Sequence, residues 1–292
     1  MINEVRIGRK DTGCIMLVIG NNPEKDYNYV LDSIDWDTPA VTLNSYSVPH
    51  QVGKFFNGAS IGTRKPVISG YVVANMKDID TTGLTWEEYY KKQLEQIETS
   101  KDRLNKEVTM NADMEIRVGD YSLYGRASLP PKYANTEEKN NEVMCYFELN
   151  FECFAPLFQL RQYVSVDMPS AGTEYTIDNT GQSIIGMEIS CEFTGNVENP
   201  TFFNRTRNER LTIEKTFKAG DRIRITTDYG DEMVGIVEGS LTKRAIYLAS
   251  VDSIFPKLNE GANHVQYSAA SGTSNMHVVV SYYPCFYTLK EM

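Results

Sequence analysis

Between Glu142 and Phe158 the chain reads EVMCYFELNFECFAPLF. Val143, Cys145, Phe147, Leu149, Phe151 and Cys153 fall on every second position, and between Phe147 and Cys153 the other positions are Glu148, Asn150 and Glu152. Successive side chains of a strand point to opposite faces, so this pattern specifies one long, half-buried β-strand and is incompatible with a helix. Pro156 has no N–H for a ladder, which predicts an end at Ala155-Pro156. The sequence before this stretch mixes a helix with strands, whereas the sequence after it is almost wholly strand and turn. The stretch therefore reads as the last core strand of one domain and the approach to a second, with domains expected at 1–161 and 162–292.

A chain of 292 residues is long for one β-domain and sufficient for two. Its formal net charge is −10, both halves are acidic, and Lys and Arg form no cluster. A grip on nucleic-acid phosphates needs a positive patch, so specific nucleic-acid binding is not expected. The five cysteines, Cys14, Cys145, Cys153, Cys191 and Cys285, are odd in number and form no C-x-x-C pair. Cys145, Cys153 and Cys191 share the apolar phase of their strands, which reads as buried, reduced thiols in a protein folded inside a cell. The first residues show no signal-peptide core, and the apolar run Cys14–Ile19 is too short to span a bilayer, so no membrane partner is expected.

Strands are expected over 41–48 and 66–74, separated by a loop in which Gly53, Asn57-Gly58 and Gly62 supply turn chemistry. Thr85-Trp86-Glu87-Glu88 is a capping box. It opens a helix to about Lys106, with Trp86, Tyr90, Leu94, Ile97 and Leu104 as its apolar stripe. Two short strands follow between Met114 and Leu129, then a polar loop over 132–141. In the second half Met187, Ile189, Cys191 and Phe193, then Leu211 and Ile213, then Ile223 and Ile225 alternate with polar residues. Turn sequences punctuate them roughly every ten residues, which predicts an antiparallel sandwich or jelly roll. The segment 278–289 reads as a final tyrosine-rich strand.

Few residue patterns in the chain fit a chemical site. Gly58-Ala59-Ser60-Ile61-Gly62 fits the G-x-S-x-G pattern, but that motif needs a helix after the serine, and Thr63-Arg64-Lys65-Pro66 and a β-branched run follow instead. Ser60 is therefore not expected to be a nucleophile, and no catalytic residue is assigned. His50, His264 and His277 share no ligand spacing, and Cys145 and Cys153 lie too far apart along one strand to share a metal. Asp32, Asp35 and Asp37 lack the rest of a calcium loop and read as a solvated acidic loop. No metal and no cofactor is expected. Tyr121, Tyr124, Tyr282, Tyr283 and Tyr287 are the remaining candidates, since aromatic faces bind sugars and also build protein interfaces.

Four stretches, in order, resemble the distal tail proteins of bacteriophages. They are the strand, glycine-rich loop, arginine and closing strand of Val41–Val73; KDRLNK at Lys101–Lys106; FELNFECFAPLF; and a series in the second half. That series runs through Asn179-Thr180-Gly181, Met187–Phe193, Asn199-Pro200-Thr201, Asn204-Arg205-Thr206, Gly220–Val234 and Glu260–Val265. Phe255-Pro256 and a long charged helix depart from the family pattern. The resemblance implies a structural protein, not an enzyme, with a β-sandwich or barrel-like N-terminal ring domain and a galectin-like C-terminal sandwich. It implies a homo-hexamer at the tip of a phage tail, assembled in the host cytoplasm. The implied partners are the tail tube protein, a tail-associated lysin or fibre protein, and receptor-binding proteins. The residues alone also admit a carbohydrate-binding β-sandwich module.

Overall fold

The computed structural model describes residues 2–22, 27–47, 52, 55–75, 82–134, 144–170 and 172–289. His50, Gly53, Val143 and most of the expected polar loop lie outside the described residues. The chain forms two compact units, Met1–Phe158 and Gln159–Thr288.

The first unit contains β1 (Glu4–Arg9), β2 (Ile15–Gly20), β3 (Tyr29–Asp35), β4 (Val41–Tyr46), β5 (Phe55–Ile61), β6 (Val67–Val73), α1 (Trp86–Glu107), β7 (Met114–Val118), β8 (Tyr121–Ala127), β9 (Lys132–Tyr133) and most of β10 (Met144–Leu160). Strands β10, β6, β3, β2, β1, β7 and β8 pair in that order, and β8 pairs back with β10, so the sheet closes into a barrel. The β2–β3 pair is parallel, whereas β1–β2, β3–β6, β6–β10 and β7–β8 are antiparallel. Closure depends on Gly125 of β8. A Cβ there would meet the Glu152 carbonyl oxygen and the Cys153 sulfur of β10, both at 2.6 Å.

The alternation of the long strand holds in its middle. Phe147, Leu149, Phe151 and Cys153 are buried, and Glu148, Asn150 and Glu152 are half-buried. Two expectations need correction. Cys145 is only half-buried, although its backbone is paired with Val72 of β6. And the strand does not stop at Pro156 but runs on to Leu160. The ladder with β6 ends at Asn150↔Val67, and the last bridge to this side is Arg64↔Cys153. Pro156 thus lies beyond the point where a ladder donor is needed. Its carbonyl accepts a hydrogen bond from Arg64 Nε at 2.7 Å.

The capping box forms as expected: Glu88 N–H donates to Thr85 Oγ1, and Thr85 N–H donates to the Glu88 carboxylate at 2.9 Å. The buried face of α1 is Gln93, Ile97, Ser100 and Leu104, at steps of four, three and four, packed on β2 and β6. The expected stripe is therefore rotated: Ile97 and Leu104 belong to it, while Trp86 (85% exposed) and Leu94 do not. Sequence hydrophobicity hid this because two of the inward positions are polar. Tyr29 Oη donates to the Ser100 carbonyl at 2.9 Å and fixes the helix there.

The second unit contains β11 (Val164–Met168), β12 (Tyr175–Asn179), β13 (Glu188–Phe193), β14 (Val197–Glu198), β15 (Thr201–Asn204), β16 (Glu209–Thr212), β17 (Thr216–Phe217), β18 (Arg222–Thr226), β19 (Met233–Glu238), β20 (Leu241–Arg244), β21 (Gly261–Ser268), β22 (Met276–Tyr282) and β23 (Cys285–Phe286). One sheet runs β11-β22-β13-β18-β19-β20 and the other β12-β21-β15-β16, with β14 and β17 as a short ribbon. The alternating residues of β13, β16 and β18 point into the shared core. Phe193 and Phe217 stack there with centroids 4.4 Å apart. The tail is two strands, not one, because Pro284 separates β22 from β23. Asn204 and Asn263, both fully buried, tie the loop before β21 in place. Asn263 Nδ2 donates to the carbonyls of Asn259 (2.9 Å) and Gly261 (2.8 Å), and its Oδ1 accepts from Asn259 N–H (2.8 Å).

Candidate assembly surfaces

The segment expected as a glycine-rich loop is instead one arm of a hairpin. β4 and β5 pair antiparallel from Val41↔Ile61 to Tyr46↔Phe55, with an irregularity between Leu43 and Ser45. Gly58 supplies the one positive φ of the motif, +103°. Gly62 does not have one; its N–H donates to the Ala40 carbonyl at 2.8 Å. The two strands form a separate ribbon, and every residue of β4 and all but one of β5 are exposed. The ribbon is also apolar: Leu43 is 66% and Phe56 67% exposed, and Val41, Tyr46, Phe55 and Ile61 accompany them. A lone hairpin is marginal in water, and contiguous exposed apolar surface on a soluble protein marks an interaction site. Sequence reading missed this surface because turn-forming glycines masked the pairing of VTLNSY with FFNGASI.

Ser60 sits opposite Thr42 in this ribbon, exposed, with no strand-to-helix elbow beneath it. His264 and His277 lie in the second unit, facing Glu174 (3.0 Å) and Asp167 (2.9 Å). Among the described residues no three of His, Cys, Asp and Glu cluster as metal ligands. Asp32 and Asp35 belong to β3 and not to a loop, and Asp35 Oδ1 accepts from Asp37 N–H at 2.9 Å. Burial pushes the thiols of Cys153 and Cys191 up to about 12, and that of Cys285 likewise to about 12. Such thiols are poor nucleophiles.

The hairpin is fixed at its root by Arg64, only 3% exposed. Its backbone bridges to Cys153 in both directions, at 3.1 and 2.8 Å. Its guanidinium donates to the carbonyls of Pro156 (2.7 Å), Asp37 (3.0 Å) and Trp36 (3.3 Å) and lies 4.5 Å from the centre of the Phe158 ring. Trp36 meets the same ring edge-on at 5.3 Å. The arginine thus gathers the end of β3, the entry to β6 and the exit of β10 at one point.

Of the tyrosines singled out by sequence, Tyr121 and Tyr282 are buried, and Tyr282 Oη donates to the Asp178 carbonyl at 2.9 Å. Tyr124 is half-buried, while Tyr283 and Tyr287 are exposed. In the second unit Tyr163 and Tyr283 meet at 6.0 Å beside a concavity that also takes in Glu188, Arg224 and Asp228.

Residues 180–286 match the family model described as the C-terminal domain of the siphovirus-type tail component. No curated protein matches the chain. Among solved structures, that of SPP1 Dit, described as a paradigm of the hub adsorption apparatus in phages infecting Gram-positive hosts, aligns with a TM-score of 0.67. The alignment covers 97% of this chain and 99% of that one at 12% identity, so the likeness is one of fold. A chain of the phage p2 baseplate in its activated conformation with strontium aligns over 97% of this chain and 98% of its own, at 10% identity and a TM-score of 0.45. The resemblance read from the sequence is borne out by the family match and by the SPP1 Dit fold.

Proposed function

We propose that this chain is a structural hub of a bacteriophage tail tip, of the distal tail kind, and that it performs no catalysis. The observation that carries the reading is end-to-end fold similarity to a phage hub protein, with the tail-component family match falling in the second unit. In this reading six copies form a ring through the first unit, residues 1–161 of the sequence-based division. The sandwich of 162–292 stands toward baseplate partners: the tail tube protein, a lysin or fibre protein, and receptor-binding proteins. The protein assembles in the host cytoplasm and resides at the distal end of the tail. The hairpin β4–β5 supports the ring, because its two exposed strands have an unsatisfied apolar surface that a neighbouring copy would cover.

Light scattering and negative-stain microscopy of the full-length protein test this. The expected result is a ring of six chain masses, alone or on joining tail particles. The double variant Leu43→Asp/Phe56→Asp should remain folded and monomeric, since both side chains are exposed within the chain. A wild-type protein that stays monomeric at high concentration and joins no tail particle would sink the reading. Rings that persist in the double variant would remove the hairpin from the interface.

A further inference from the structure

Asn57-Gly58 is the one Asn-Gly pair in the chain, and it stands in the exposed ribbon. The ladder of β4 with β5 pairs Leu43 with Ala59 and resumes at Ser45↔Phe56, so Asn44 faces both Asn57 and Gly58. Two residues against one make a β-bulge, and the glycine supplies its positive φ of +103°. The bulge accounts for Gly58 but asks nothing of the residue before it. Asn57 is exposed, and its carboxamide has no hydrogen-bond partner among the described residues. The space beside Gly58 is open: a Cβ there would meet nothing within 4 Å.

This arrangement permits a reaction of the chain with water. The Gly58 backbone nitrogen attacks the side-chain carbonyl carbon of Asn57. A new C–N bond closes a five-membered imide, the bond to the side-chain nitrogen breaks, and that nitrogen leaves as ammonia with the proton given up by Gly58. Water then adds to one of the two imide carbonyls and opens the ring, leaving aspartate or its β-linked isomer. One water enters and one ammonia leaves, with no change of oxidation state. A side chain on the following residue would crowd the attack, and glycine has none. Regular extended backbone holds the nitrogen away from the carboxamide, but the bulge interrupts it, and a two-stranded ribbon opens readily in water. The product is a carboxylate on a ribbon whose two strands carry no charge of their own. Burying that carboxylate unpaired against an apolar surface is costly.

We propose that Asn57 is a self-modification site, and that its conversion to aspartate or isoaspartate retires copies that remain unassembled. The retirement role rests on the hub reading, in which a neighbouring copy covers the ribbon and keeps it closed; the site itself does not. The test holds the full-length protein in mildly alkaline buffer at physiological temperature and samples it over weeks. Trypsin cuts after Lys54 and Arg64 and releases Phe55–Arg64, in which mass spectrometry reads the conversion and isoaspartyl methyltransferase reads the β-linked isomer. Asn57 should convert at least tenfold faster than Asn44, which is exposed in the same ribbon but followed by serine. An Asn57 as durable as Asn44, or one that converts only in urea, would overturn the site. Sedimentation velocity then compares Asn57→Asp with Asn57→Gln. The aspartate variant should self-associate at least tenfold more weakly, and assembled wild-type chains should keep their asparagine longer than free ones. Equal association of the two variants, or equal ageing of free and assembled chains, would overturn the retirement role. A wild type that never associates would refute the hub reading and with it that role, whereas the peptide map decides the site by itself.

Discussion

Replacing Arg64 tests how the first unit holds its hairpin. The guanidinium serves three backbone carbonyls, and burial holds its pKa below the usual arginine value, so its charge is costly unless those bonds are made. Hydrogen bonds to charged groups contribute ~1.5–3 kcal/mol each, and the ring contact with Phe158 adds ~1 kcal/mol. Two of the three bonds are short and one is long at 3.3 Å. After the regained hydration of the guanidinium is subtracted, Arg64→Ala should destabilise the first unit by about 4 kcal/mol. Arg64→Lys keeps the charge but not the planar fork, and should lose about 2 kcal/mol. Urea unfolding followed by tryptophan fluorescence reads this unit specifically, because both tryptophans, Trp36 and Trp86, lie within it. Trp86 is already exposed, so the signal change comes from half-buried Trp36 against Phe158. A loss below about 1 kcal/mol for the alanine variant, or a lysine variant equal to wild type, would refute the account of Arg64 as the root of the hairpin.

Two further outcomes concern the thiols. In the native state a disulfide reagent should modify exposed Cys14 quickly and Cys153 and Cys191 only on unfolding; rapid reaction of all five would contradict their burial. Cys153, Cys191 and Cys285 have folded-state pKa values raised to about 12 from 9.0, so the folded chain holds these protons more tightly than the unfolded one. Their contribution is intact below pH 9 and is lost as pH rises from 9 toward 12, which a series of alkaline melts should show as a falling midpoint that Cys153→Ala and Cys191→Ala make shallower.

What the sequence revealed follows from how local each determinant is. The inner face of β10 and the alternation of β13, β16 and β18 were legible because a period of two repeats within a few residues. The capping box at Thr85 was legible for the same reason. The continuation of β10 through Pro156 was not, since it depends on a side chain ninety-two positions earlier in the chain. The buried face of α1 includes Gln93 and Ser100, whose burial depends on partners such as Tyr29 and not on hydrophobicity. The first arm of the hairpin was expected as a strand, but the second was read as a loop because glycine and asparagine in FFNGASI signal turns, yet Gly58 here serves an irregular strand. Arg64 entered through the family resemblance alone. The concavity of the second unit was beyond reach, since it draws residues from separated segments; only Tyr282 and Tyr283 of its lining had been marked, as aromatics among several.

The acidity of the chain and the composition of the hairpin together constrain how copies can meet. Each chain carries −10, so in the proposed ring six copies would carry about −60 and would assemble against that repulsion. Charged residues make up 23% of the chain, yet β4 (VTLNSY) and β5 (FFNGASI) contain none. A contact built from these strands gains from apolar burial and loses nothing to screening, whereas the long-range repulsion between acidic copies weakens as the Debye length shrinks from ~30 Å at 0.01 M salt to ~8 Å at 0.15 M. The proposed ring should therefore form more strongly as sodium chloride rises over roughly 10–500 mM, because the Debye length shortens throughout that range. Sedimentation velocity across that series measures it. Rings that form at low salt and dissociate as salt is added would show that opposite charges hold the copies together, and the hairpin would then be the wrong surface.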